Sequence, residues 1–128
     1  MADRNLAIFD IETDGLSPTK IWCLAVNNTK ESKATPNYDN MRKFFTKAEF
    51  LVGHNIILYD IPAVEKLLKI KVTAKLVDTL ALSWYLYPER AVHGLEAWGE
   101  YFGVPKPKIN DWQNLTLDEY MHRCKEDV

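Results

Sequence analysis

The chain has little of what marks several large classes of protein. It holds two cysteines, Cys23 and Cys124, far apart and without a CxxC pair. That excludes a disulfide framework and a zinc ribbon, and the expected setting is reduced and cytoplasmic. Positive charge is not in excess: 16 Lys and Arg face 18 Asp and Glu, a net charge of −2 over 128 residues. A global basic field that grips nucleic acid by counterion release is therefore absent, although a few local cations and bound metals suffice to hold a strand end. Met1 to Arg4 lead directly into a short apolar segment, with neither a signal peptide nor a membrane span. No internal repeat, low-complexity tract or linker divides the sequence, so one domain is expected. With 47% hydrophobic residues, that domain has enough apolar side chains for a core.

Strands come first and helices join them later. Leu6–Phe9, Ile21–Val26, Ser32–Thr35, Phe50–His54 and Lys75–Asp78 read as five strands. Asp39 is expected to cap a helix over 40–47, with Met41, Phe44, Phe45 and Ala48 as its apolar stripe. Pro62 marks the first turn of a second helix with Ile61, Val64, Leu67 and Leu68 inward. Asp78 or Thr79 caps a third helix over 80–87, ended by Pro88, and His93 opens a fourth, ended by Gly103. Thr116-x-x-Glu119 is a capping box for the last helix, with Leu117, Tyr120, Met121, Cys124 and Val128 on one face. Trp22, Trp84 and Trp98 are expected in the core. Trp112, Lys106 and Lys108 fall in a polar loop, as a stacking platform and backbone followers or as plain loop residues. The order fits an α/β fold, a mixed central sheet flanked by helices.

Chemistry concentrates in Ile8-Phe9-Asp10-Ile11-Glu12-Thr13. Residues two apart on a strand share a face, so Asp10 and Glu12 project together from the end of a buried strand. Two anions so placed raise each other's pKa unless a cation neutralises them, and oxygen ligands suit Mg²⁺ or Mn²⁺. A second acid, Asp60, stands at a helix start, where the macrodipole favours its ionised form. A plain helix cap is the competing explanation for it. His122, Arg123 and Asp127 lie on the polar side of the last helix.

In order and context, Asp10, Glu12, Asp60 and Asp127 resemble the carboxylates of the DEDD, or DnaQ-like, 3′–5′ exonuclease superfamily. The resemblance is most specific to the proofreading domain of family A DNA polymerases of short-tailed phages. Phe9-Asp10-Ile11-Glu12-Thr13 looks like the first motif, His54-Asn55 through Tyr59-Asp60 like the second, and Cys124-Lys125-Glu126-Asp127-Val128 like the third. Val77-Asp78-Thr79-Leu80 and His93–Gly99 resemble intervening segments, so the likeness runs from residue 6 to the C-terminus. It implies a ribonuclease-H-like fold over 1–128 and two divalent ions, Mg²⁺ or Mn²⁺, held by the four carboxylates. It also implies hydrolysis of the last phosphodiester at the 3′ end of single-stranded DNA, with release of a nucleoside monophosphate. Thr13 and the backbone near it would hold the terminal hydroxyl, Leu16 would wedge against the last base, and Asn55 and Tyr59 would touch the strand. The implied partners are a DNA 3′ end and a DNA polymerase domain or subunit, with no membrane, in a bacterial or phage-infected cytoplasm. An RNA-trimming exonuclease and an idle 3′-end-binding or polymerase-binding module are the alternatives.

Two departures from the pattern stand out. The tyrosine that one branch places four residues before the last Asp is Arg123 here, whereas His122 matches the other branch by spacing. A pKa near 6.5 suits His122 as the general base. It lies about 140° round the helix from Asp127, and Tyr120 is the competitor on the same face as Asp127. Asp127 is also the penultimate residue. Because helix ends fray, a chain cut here, whether fragment or minimal domain, is expected to bind metal more weakly than one with a longer final helix.

Overall fold

In the computed structural model, residues 6–28, 31–104 and 116–128 are described. Five strands form one mixed sheet in the order β3-β2-β1-β4-β5. β1 (Leu6–Thr13) is central, β2 (Ile21–Asn27) and β3 (Ser32–Thr35) extend it antiparallel, and β4 (Phe50–Gly53) and β5 (Lys75–Asp78) run parallel to it. The helices are α1 (Tyr38–Lys47), α2 (Ile61–Leu68), α3 (Thr79–Leu86), α4 (Leu95–Phe102) and α5 (Leu117–Glu126).

Alternation along β1 and β2 supplies both faces of the sheet. Phe9, Ile11, Ile21 and Leu24 pack with Met41 and Phe45 of α1 and with Ile61, Val64 and Leu68 of α2. Cys23 and Ala25 of β2, pointing the other way, pack under Tyr120 and Cys124 of α5. Phe9 meets Phe45 edge-on at 5.2 Å, and Trp22 stacks on Tyr120 at 5.1 Å. The pairing of β1 with β2 slips at Glu12/Thr13, an irregularity that re-aims side chains where a strand ends.

The strand and helix expectations hold with shifts at the caps. Asn37, not Asp39, caps α1: its side chain accepts from the Asn40 amide, while Asp39 sits in the first turn and pairs with Arg42 at 2.9 Å. Thr116 caps α5 as the capping box predicts, accepting from the Glu119 amide at 3.2 Å. Trp84 is not core; it is 53% exposed, because α3 is apolar all round and buries only Ser83. Trp98 is half-buried rather than core; it anchors α4, its Nε1–H donating to Ser83 Oγ at 2.8 Å, with Arg90 stacked 3.9 Å above its ring. His93 tightens the same corner, its Nδ1 2.6 Å from Ser83 Oγ and its Nε2 3.0 Å from the Arg90 carbonyl. Trp112, Lys106 and Lys108 lie outside the described residues.

Candidate active site

The site forms where β1 outruns β4. β4 pairs with β1 only at Leu6, Ala7 and Ile8, so the backbone from Phe9 onward has no strand on that side. The chain leaving β4 fills the gap. Gly53 permits the return, because a Cβ there would collide with Ile56 and come 3.0 Å from the Phe9 carbonyl oxygen. Asn55 then takes a left-handed conformation, φ 61° and ψ 32°, and Ile56–Asp60 forms a single wide π-helical turn before α2. Such turns cluster at functional positions. Sequence reading expects a simple helix start here and misses the turn.

The turn delivers two side chains to β1. Tyr59 donates its hydroxyl to the Gly15 carbonyl at 2.6 Å and also hydrogen-bonds the Thr13 hydroxyl, which itself reaches Gly15 O at 3.1 Å. Asp60, buried at 4% exposure, accepts from the backbone amide of Ile11. Its Oδ2 is buried with no hydrogen-bond partner among the described residues.

Asp10 and Glu12 leave β1 on the face opposite Phe9 and Ile11. Cys124 of α5 donates its thiol to the Asp10 carbonyl oxygen at 3.0 Å, and Asp10, Glu12 and Cys124 each present an atom within 4.8 Å of the others. Asp127 follows one turn later and shares a side-chain hydrogen bond with Asp10. Carboxylates from three separate elements act on Asp10: burial, then Asp60, Asp127 and Glu12 in turn, push its carboxyl well above the usual range. Burial, with Glu12 and Asp78, pushes Asp60 up to about 7. The helix position of Asp60 was expected to keep it ionised. Desolvation and like charge outweigh the dipole, and Asp60 is held protonated at mildly acid pH. The Cys124 thiol is also pushed up, first by its hydrogen bond with Cys23 and then by burial, so it stays a donor.

A divalent cation fits this donor set. It is anionic and oxygen-rich, the charges that raise Asp10 are the carboxylates of Asp60, Asp127 and Glu12, and the buried Asp60 Oδ2 has no hydrogen-bond partner among the described residues. A hard divalent ion held there would supply the missing charge.

The remaining expected site residues divide. Thr13 and Tyr59 are half-buried beside the carboxylates, and Asn55 is half-buried at the start of the turn. Leu16 is 94% exposed at the tip of the loop after β1. Asp14 holds that loop, accepting from the Thr19 and Lys20 amides at 2.8 and 3.1 Å; its bond with the Thr19 side chain lowers its pKa. His122 is not brought to the cluster. Its side chain is 69% exposed, with Nε2 3.8 Å from Glu126 Oε1. Cys124, two residues later, faces Asp10, and two residues are about 200° of helix, so His122 occupies the opposite face. The matching spacing does not carry it into the site. Tyr120 is the aromatic that faces inward: it is buried against Trp22, and burial together with Glu12 raises its pKa. Asp78, read from the sequence as a helix cap and as part of an intervening segment, also acts on the site through its charge on Asp60.

No family model and no curated protein matches the sequence. Solved structures do match in shape. NrnC of Brucella melitensis, solved with bound Mg²⁺, superposes with a TM-score of 0.71 at 16% identity, over 98% of this chain and 69% of that one. The family B DNA polymerase of the archaeon Pyrobaculum calidifontis gives 0.67 at 20% identity, over 95% of this chain but only 23% of the polymerase. Exonuclease X in complex with 5′ overhanging duplex DNA gives 0.59 at 14% identity, over 94% and 85% of the two chains. At such identities the likeness is one of fold, and the chain shares the ribonuclease-H-like α/β fold of these neighbours.

Proposed function

We propose that this chain is a metal-dependent 3′–5′ exonuclease that removes nucleoside monophosphates from the end of a single strand, DNA in the first instance. The observation that supports the reading is the set of carboxylates that act on Asp10, namely Glu12, Asp60 and Asp127, with the Asp60 Oδ2 buried and unpartnered among the described residues. These four would hold two Mg²⁺ or Mn²⁺ ions, which supply Lewis-acid activation of water and of the scissile phosphate. Partial burial of Asp10, Glu12 and Asp127 and full burial of Asp60 would reduce the screening by water of their charge on a cation.

The chain's own residues account for substrate orientation. Thr13 and Tyr59 are locked to each other and to the Gly15 carbonyl, a rigid floor for the terminal nucleotide. Leu16 projects beyond it, where an apolar side chain can stack against a base whatever its identity. Asn55, half-buried at the start of the same turn, would touch the strand. With His122 turned away, Tyr120 beside Glu12 is the side chain that orients the attacking water. Proofreading with a polymerase partner is consistent with the polymerase among the matching folds. Trimming of short RNA is the second reading, favoured by the NrnC structure bound to pGG. Among the described residues, no helix is long and apolar enough to cross a membrane.

The test is turnover of 5′-labelled oligomers, all-deoxy or ribonucleotide-tipped, in Mg²⁺ and in Mn²⁺. A one-nucleotide ladder that disappears with EDTA and with Asp10→Ala is expected. Absence of a ladder from the folded protein would overturn the exonuclease reading, and 3′-end binding without cutting would favour the idle module. The better-cut tip chooses between DNA and RNA.

A further inference from the structure

We propose that Asp78 is a positioning residue of the site: its carboxylate holds open the strained turn that carries Tyr59 and Asp60 to β1. Asp78 is the last residue of β5, level with Gly53 of β4 in the sheet, so its side chain lies directly beneath the chain that turns back after Gly53. It is 7% exposed. Oδ1 accepts from the Asn55 amide at 2.9 Å and the Leu80 amide at 2.9 Å, and Oδ2 accepts from the Ile57 amide at 3.0 Å. One carboxylate therefore does two jobs. Toward α3 it is a helix cap; toward Asn55 and Ile57 it clamps the entry to the π-helical turn.

The second job is the one the site needs. Asn55 has a left-handed backbone, a conformation that Asn tolerates better than other non-glycine residues but that its surroundings must still hold in place. The wide turn that follows, closed by the Ile61 amide on the Ile56 carbonyl, contains one residue more than an α-helical turn. Without acceptors for the Asn55 and Ile57 amides, the segment relaxes toward ordinary helix. Each residue of helix is about 100° of rotation, so losing the extra residue swings Asp60 away from Ile11 and takes Tyr59 off Gly15. Asp78 touches no substrate in this arrangement; it acts through the turn.

The inference rests on the exonuclease reading, and Asp78→Ser separates its two jobs. Serine caps a helix about as well as aspartate, so α3 keeps its cap, but one short hydroxyl cannot reach both Asn55 and Ile57. Mn²⁺ binding followed by electron paramagnetic resonance, alongside thermal melting and turnover, gives a readout that a mere cap would not move. A folded Asp78→Ser is expected to bind Mn²⁺ about tenfold more weakly, the usual scale for a residue that orients a metal ligand. Its kcat should fall at low Mn²⁺ and recover in part as Mn²⁺ is raised. Asp78→Asn, which keeps Oδ1 and loses only the acceptor facing Ile57, should fall between the two. If Asp78→Ser does not fold, the same titration on Asp78→Asn decides. Wild-type Mn²⁺ affinity in the folded variants overturns the positioning role. Wild-type protein that binds no Mn²⁺ sinks the exonuclease reading first, and the inference with it, in a measurement that needs no substitution.

Discussion

Asp60→Asn should make the metal-free protein more stable at pH 8, although it removes a carboxylate that the site requires. Asp60 has its pKa raised from the usual 3.8 to about 7. Between those values the folded state keeps a proton that the unfolded chain has released, so stability falls as pH rises, and above pH 7 the full loss is present. The gap corresponds to an upper bound of about 4 kcal/mol. Asparagine keeps the size and can still accept from Ile11 but leaves an amide N–H buried, at about 1–2 kcal/mol. The net gain is about 2 kcal/mol, or about 8 °C in Tm at ~4 °C per kcal/mol for a domain of this size. At pH 5 only about 1.6 kcal/mol of the loss has developed, which the buried amide offsets, so the two proteins should melt together. Circular dichroism melts in EDTA at both pH values measure this. In saturating Mn²⁺ the order should reverse, because the wild type gains more from the ion. An Asp60→Asn protein that melts at or below the wild type at pH 8 in EDTA would refute the reasoning, as would a gap unchanged at pH 5.

Other substitutions separate the side chains near the water. His122→Ala should leave kcat within about twofold of wild type, since an exposed side chain on the far face of α5 contributes little; a hundredfold loss in a steady-state assay would restore it as the base. Tyr120→Phe keeps the stack on Trp22 and removes only the hydroxyl. It should lower kcat about tenfold, the worth of one hydrogen bond to a charged group, with Tm unchanged. Gly53→Ala should destabilise by about 1–3 kcal/mol through overpacking against Ile56, read as an earlier urea midpoint.

How much of this was legible in the sequence follows from what each signal encodes. The alternation of Ala7, Phe9 and Ile11 with Asp10 and Glu12 fixes which way the carboxylates point, because a pleat has only two sides. The capping box at Thr116 and Glu119 is a local hydrogen bond and could be read at once. The turn at Ile56–Asp60 could not. Its shape depends on Asp78, a residue distant in sequence, and on a gap in the sheet that exists only once β4 stops short. His122 matches by spacing, but its helical phase, about 140° from Asp127, sets it on an exposed face. That phase was available: Tyr120, Cys124 and Asp127 recur at helical spacing, and Cys124, apolar in character, marks the inward side. The pKa of Asp60 needed the burial that only the folded chain provides, and the helix dipole alone gave the wrong sign. Trp84 misled through composition, since an apolar helix reads as core whether or not anything covers it.

The two-sidedness of β1 has a consequence for how this protein can change. Phe9 and Ile11 are almost fully covered while Asp10 and Glu12 look toward α5, and the strand holds this arrangement through its pairing with β2. Point substitutions along β1 degrade one contact at a time. Inserting or deleting a single residue within β1 ahead of Phe9 instead turns the rest of the strand over: the acids would enter the oily layer beneath α1 and α2, and the phenyl and isoleucyl groups would take their place facing α5. Its descendants can therefore vary in letters along this strand but not in count.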